Sequence, residues 1–216
     1  MDELYEDLHW LILITGHVFC MECEGEIALT LIPLEITRCS MKQVCKYSLQ
    51  FLLYSGDGSI KFLFYMFFQS REGNVDVNRT LEFLVSSQNV QSDISSPSAS
   101  IDQVIRLVTG IFRLCTIEKT AISIHLENIL SPELSSTIIW FLHRWSEIYL
   151  IPNEDHYNEL STTLLHAFGD DSPGALWSMN FLLDKIICNI NAFKSEPTLI
   201  DETIKLLISL VKSRAR

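Results

Sequence analysis

The sequence predicts an all-α fold, part of a HEAT-type helical repeat solenoid (an α-α superhelix) interrupted by an aberrant aromatic insertion. Apolar residues recur at i, i+3, i+4 and i+7 in one segment after another, the spacing of helices that each bury one face. Helix-start signals fall near residues 101, 131, 156, 173 and 198, so pairs repeat about every 40 to 55 residues, the scale of HEAT repeats. With 216 residues and 48% hydrophobic content, the chain can bury one sizeable core or several stacked layers.

Charge and composition then remove several function classes. The 27 Asp and Glu against 16 Lys and Arg leave a net charge of -11, which argues against binding a nucleic-acid backbone and leaves a basic partner or a merely solvated surface. The start, MDELYEDL, is acidic where a signal peptide needs a basic stretch, so secretion is not expected. Leu8 to Met21 carries no formal charge, but it is shorter than the roughly 18 to 20 residues a bilayer requires and contains His9, Thr15, Gly16 and His17. A buried helix is expected there, with no membrane insertion. Cysteines at 20, 23, 39, 45, 115 and 188 form no secreted-domain framework and read as reduced intracellular thiols, most of them core fillers. The sequon Asn78-Arg79-Thr80 is accordingly discounted.

Residues 1–43 read as HEAT-like helices. In the first, Leu4, Leu8, Leu11, Ile12 and Thr15 form one stripe, with acidic residues at the positive end of the dipole. The abrupt start with Trp10 and many aliphatic residues suggests a piece of a longer stack. Pro33 opens a shorter second helix to about Gln43. Residues 44–70 differ in kind: 8 of the chain's 22 aromatic residues fall within the 22 residues Tyr47 to Phe68, on either side of the turn signal Ser55-Gly56-Asp57-Gly58-Ser59. A hairpin is the best local structure. Helix-on-helix packing has no sheet for it, so the segment reads as foreign, either translated intervening sequence or an alternative exon; the competing reading is a lineage-specific loop covering an exposed end.

Residues 71–100 give a short helix through Val77, Leu81, Phe83 and Leu84, then the serine-rich loop Ser86 to Ser100. Residues 101–216 form the stacked HEAT-like pairs. Ser100 and Gln103 make a capping box before a face of Ile101, Val104, Ile105, Val108, Ile111, Phe112 and Cys115. This helix is expected to extend past Ala121 to Ile129 and to be the partner of the next one. At Ser131 every local rule for a packed helix agrees: a serine cap, Pro132 in the first turn, Glu133 at the dipole, then Leu134, Ile138, Phe141, Leu142, Trp145, Ile148 and Tyr149 on one face, widened by Ile139 and Trp140. The helix from His156 to Phe168 presents Leu160, Leu164, Leu165 and Phe168. The helix from Pro173 presents Leu176, Trp177, Phe181, Leu182, Ile186 and Ile190. The last places Asp201 and Glu202 at its start, Lys212, Arg214 and Arg216 at its end, and Ile200, Ile204, Leu207, Ile208 and Val211 on its apolar side. Together these imply a right-handed stack of antiparallel pairs with incomplete end caps.

No catalytic, cofactor-binding or metal site is assigned, and the sequence singles out no partner-binding residue. Cys20 and Cys23 have redox or zinc spacing, but Cys39 and Cys45 do not supply the second pair a four-ligand site needs; His17 is placed on the first helix surface. His125-Leu126-Glu127 matches half of a zinc deaminase motif without the downstream P-C-x-x-C. Phosphate-cradling and hydrolase motifs are not found. Trp140, Trp145 and Trp177 fall at helical spacing with leucines and read as core residues, not nucleic-acid stacking platforms.

DLHWLILITG at 7–16, GEI and LIPLEI within 25–36, VIRLVTGIFRL at 104–114, LSPELSSTIIWFLHRW at 130–145, AFGDDSPGALW at 167–177 and the terminal VKSRAR together resemble, in order, the exportin-4 branch of the importin-β-like nuclear transport receptors. The resemblance implies a HEAT-repeat superhelix, not an enzyme, that binds the small GTPase Ran in its GTP form and carries protein cargo through the nuclear pore, shuttling between nucleus and cytoplasm. It implies cargo such as a hypusine-containing translation factor and Smad-type transcription factors for the full-length receptor. The chain resembles an internal segment of such a receptor, without the amino-terminal arch on which Ran recognition chiefly depends. The alternative is a free-standing helical adaptor whose acidic surface holds a basic partner.

Overall fold

The computed structural model describes residues 2–20, 77–88, 103–152 and 162–214. These hold seven α-helices and one 3-10 turn: α1 (Asp2–Phe19), α2 (Val77–Ser86), α3 (Gln103–Ser123), the turn Glu127–Ile129, α4 (Pro132–Tyr149), α5 (Thr162–Phe168), α6 (Pro173–Ala192) and α7 (Pro197–Arg214). The expected second helix at 33–43 and the aromatic insertion at 44–70 lie outside the described residues. So do the serine-rich loop from residue 89 onward, Ser100 of the capping box and the helix start at 156.

Cross-helix contacts give the order of packing. Phe112 of α3 meets Trp145 of α4 while Glu118, further along α3, bonds Ser135 near the start of α4, so these two run antiparallel. Phe112 also meets Phe181, and Glu118 meets Lys185, so α3 and α6 run parallel. Tyr5, His9 and Gly16 of α1 lie beside Ile129, Thr137 and Trp140, which makes α1 parallel to α4. Parallel neighbours within a layer and antiparallel partners between layers are the signature of stacked helical hairpins of the HEAT type. One layer contains α1, α4 and α7; the other contains α2, α3 and α6, with short α5 beside α2 and α6.

Helix α4 is the centre. Ser131 Oγ accepts a hydrogen bond from the Leu134 amide at 3.2 Å, Pro132 occupies the first turn, and all seven residues of the expected face are buried, with Trp145 1% exposed. Phe112 stacks on Phe181 with centroids 4.7 Å apart and meets Trp145 edge-on at 5.5 Å; Trp145 meets Phe168 edge-on at 5.0 Å. Thus one aromatic cluster ties four helices together. The backbones closest to α4 are those of α7 and α1, whereas α3 reaches it through long side chains. Small residues account for the closer approach of α7 and α1, while α3 packs on α4 as expected: Ser146 Oγ and Ser209 Oγ approach to 3.0 Å between α4 and α7, and at Gly16 of α1 a Cβ would overlap the Trp140 ring. Where side chains are short, helix axes draw together.

Other expectations need correction. Helix α3 ends at Ser123 in a turn with His125 at φ 59° and does not run on to Ile129. On α1 the buried face is turned toward Ile12, Thr15 and Gly16, leaving Leu4 exposed. On α6 the inner face is Gly174, Ala175, Ser178, Phe181, Leu182, Lys185, Ile186 and Asn189, while Leu176 is 61% exposed and Ile190 is also outside. On α7 the inner face is Leu199, Thr203, Leu206, Ser209, Leu210 and Ser213, and the expected Ile204, Ile208 and Val211 are exposed. Helix α7 starts at Pro197, so Asp201 and Glu202 lie past the first turn, where both bond Lys205, at 2.7 and 2.8 Å.

Candidate interaction surface

Two features of the stack bear on function: a buried polar seam that locks its layers and an apolar strip that its last pair leaves uncovered. In the seam, Lys185 Nζ donates to Glu118 Oε2 at 2.7 Å and Ser135 Oγ donates to Glu118 Oε1 at 2.5 Å. Both carboxylate oxygens are therefore occupied, and three helices converge on one buried charge. Burial by itself would lower the Lys185 pKa, but the facing Glu118 carboxylate, through its charge and its hydrogen bond, holds the ammonium above the usual lysine value. A carboxylate bonded at both oxygens from two other helices ties α3, α4 and α6 together at one point. The seam is structural, and no feature of the sequence reading pointed to it: Lys185 lies inside the apolar run FLLDKII, and its partner is distant in the chain.

The uncovered strip belongs to α6 and α7. At 3.6 residues per turn, Leu176, Leu183, Ile187 and Ile190 share one side of α6, and Ile204, Ile208 and Val211 share one side of α7. Each helix has three sides. On α7, Ser209 faces α4, Thr203 faces Asn189 of α6, and the centre of the aliphatic strip lies roughly 130° round from Ser209 and roughly 105° round from Thr203. On α6 the strip likewise lies away from Phe181 and Lys185, which meet α3. Both strips thus point away from the preceding α3 and α4 pair, in the direction in which the layers grow.

The residues weighed for chemistry do not come together. Cys20 and Cys115 are buried free thiols, and burial pushes both up to about 12; Cys188, half-buried, is also raised by burial. Cys23, Cys39 and Cys45 lie outside the described residues. His17 is exposed on α1, its ring 5.1 Å from that of Trp140. His125 and Glu127 are exposed in the turn before α4. Trp145 is buried, and Trp140 and Trp177 pack half-buried against the core. Among the described residues no group of three His, Cys, Asp or Glu side chains could hold a metal, and no helix is long and apolar enough to cross a membrane.

The Exportin-4 family model matches residues 66–215, which takes in every described helix except α1. Exportin-4 of Dictyostelium discoideum is 26% identical over 120 residues, covering 55% of this chain and 10% of that protein. The chain therefore spans about a tenth of the length of this relative. Three of the quoted motifs, at 104–114, 130–145 and 167–177, fall within the matched stretch, and those at 7–16 and 25–36 precede it. With more than half of its length matched by the family model, and with helices stacked as an importin-β-like receptor requires, the chain belongs to the exportin-4 family of transport receptors.

Proposed function

We propose that this chain is an internal segment of a nuclear transport receptor which, in the full-length protein, binds Ran-GTP and protein cargo for nuclear export. The observation that carries the proposal is the family match over residues 66–215 on a stack whose buried ion pair ties its helices together and whose outward strip is apolar. A layer of helices with such a strip serves to extend or hold a protein surface. In this reading the chain shapes the superhelix, the receptor shuttles between nucleus and cytoplasm through the nuclear pore, and Ran contacts are carried by other parts of the receptor.

The test replaces the aligned segment of Dictyostelium Exportin-4 with this chain and measures capture of Ran locked on GTP against Ran on GDP. The expected result is a folded chimera that retains nucleotide-dependent capture, while the chain alone shows none. A folded chimera that no longer distinguishes the two nucleotide states would overturn the transport role. Strong GTP-dependent capture by the chain alone would move the Ran contact onto this segment. The same pull-downs address a free-standing adaptor, for which the net charge of -11 speaks: it would capture basic proteins regardless of nucleotide.

A further inference from the structure

We infer that the cleft between the first half of α1 and the start of α4 is a docking site for an arginine-bearing peptide segment. The cleft encloses about 540 Å³, with Tyr5, Glu6, His9 and Trp10 on one wall and Ile129 and Glu133 on the other. It lies along the side of the stack, remote from the α6 and α7 strip, and the inference does not rest on the transport reading.

The walls are held in place before anything binds. Tyr5 Oη donates to the Ile129 carbonyl at 2.7 Å. His9 Nδ1 and Thr137 Oγ1 share a hydrogen bond at 2.6 Å. These bonds fix α1 against α4 above and below the cleft, so a ligand does not have to organise it.

The lining selects a flat cation on an apolar stem. Among the described residues that line it, Glu6 and Glu133 carry the full charges, both are exposed carboxylates, and there is no Lys or Arg. Trp10 is 51% exposed and offers an indole ring, and Ile129 is 42% exposed opposite it. An anion is repelled here, and a purely apolar ligand would gain nothing from the carboxylates. A guanidinium stacks on the indole, presents a fork of donors to carboxylates and is more weakly hydrated than an ammonium, so arginine fits better than lysine. An aliphatic neighbour in the peptide covers Ile129. The chain's net charge of -11 adds attraction at longer range.

The test is calorimetric titration of the full chain with acetyl-Gly-Leu-Arg-Leu-Gly-amide and with the same peptide carrying citrulline, which keeps the shape and removes the charge. The arginine peptide should bind saturably and more weakly as salt is raised, and the citrulline peptide should lose about tenfold or more in affinity. Trp10→Ala and the paired change Glu6→Gln with Glu133→Gln should each reproduce a loss of that order, while Asp184→Asn, on the polar side of α6, leaves binding unchanged. Should Trp10→Ala lose helicity by circular dichroism, the two glutamine changes at exposed positions carry the test. Equal binding of the citrulline peptide, the absence of saturable binding, or indifference to the glutamine changes overturns the inference.

Discussion

Helices α4 and α7 are both 18 residues long and pack against each other in one layer, yet they use their apolar residues in opposite ways. In α4 all seven residues from Leu134 to Tyr149 on the expected face are buried. In α7 the richest aliphatic side, Ile204, Ile208 and Val211, points outward, and the inner side mixes Leu199, Leu206 and Leu210 with Thr203, Ser209 and Ser213. The difference follows from position. Helix α4 has α1, α3 and α7 around it, so most of its circumference is covered; α7 has α4 and α6 on adjacent sides and nothing opposite them among the described residues. Hydrophobic periodicity reports how much of a helix wants cover. Small and hydroxyl-bearing residues report which side lies against a neighbour, because they let helix axes approach.

The comparison breaks first at its strongest point. Trp145→Ala removes a side chain that contacts Phe112 and Phe168 in the centre of the stack and should cost about 3 to 5 kcal/mol in urea unfolding. A loss below about 0.5 kcal/mol in a cooperatively folding variant would mean that α4 is not the centre. Lys185→Ala should cost about as much, roughly 3 to 5 kcal/mol, because it strands the Glu118 carboxylate in a dry site. Replacing both partners, Glu118→Leu with Lys185→Met, should recover most of that loss. If the double change is as damaging as the single one, the seam does more than neutralise its own charges.

Alkaline titration probes the same interior. Cys20 and Cys115 are held near 12 by burial against an ordinary 9.0, and Lys185 is held above 10.5 by Glu118. In each case the folded value is raised, so the associated stability is intact below the unfolded value and is lost as pH rises toward the folded one. The two thiols should therefore begin to destabilise the fold above pH 9, by about 3 kcal/mol in total at pH 10, with Lys185 adding its loss at higher pH. Unfolding midpoints measured between pH 7 and 11 check the onset. Cys115→Ala should make the decline shallower, and a decline that Cys115→Ala leaves unchanged would show that the buried thiol is not its source.

The sequence was informative where one residue class decides the outcome. Ser131 with Pro132, and Ser172 with Pro173, announce helix starts through their caps, and the structure shows both caps. The faces of α3 and α4 follow from aliphatic spacing because both helices are covered on several sides. On α6 the reading placed Phe181, Leu182 and Ile186 correctly and missed with Leu176 and Ile190, because Gly174, Ala175, Ser178 and Asn189 have little apolar signal, yet Gly174 lies so close to the Ala167 carbonyl that a Cβ would overlap it. The Glu118 and Lys185 pair and the cleft beside Trp10 join residues 67 to 128 positions apart, and no local pattern encodes such distances. On α1, hydrophobicity favoured Leu4, whereas the hydrogen bonds of Tyr5 and His9 decide which side faces α4.

The smallest expected effect is the sharpest test of the outward strip. Ile204→Gln and Ile208→Gln replace residues that are 45% and 48% exposed with one of better helix propensity, so the burial lost is partial and the backbone preference improves. Each should change unfolding free energy by less than about 1 kcal/mol, against several for Trp145→Ala. Leu206→Gln, two residues from Ile208 but on the inner side and fully buried, serves as the contrast and should be severely destabilising. If Ile208→Gln proves as costly as Leu206→Gln in the isolated chain, the strip is covered in solution and the three-sided description of α7 fails. If the Gln variants keep their stability and the protein becomes less prone to associate at high concentration, then the residues α7 turns outward contribute to contacts beyond this stack and not to its own core.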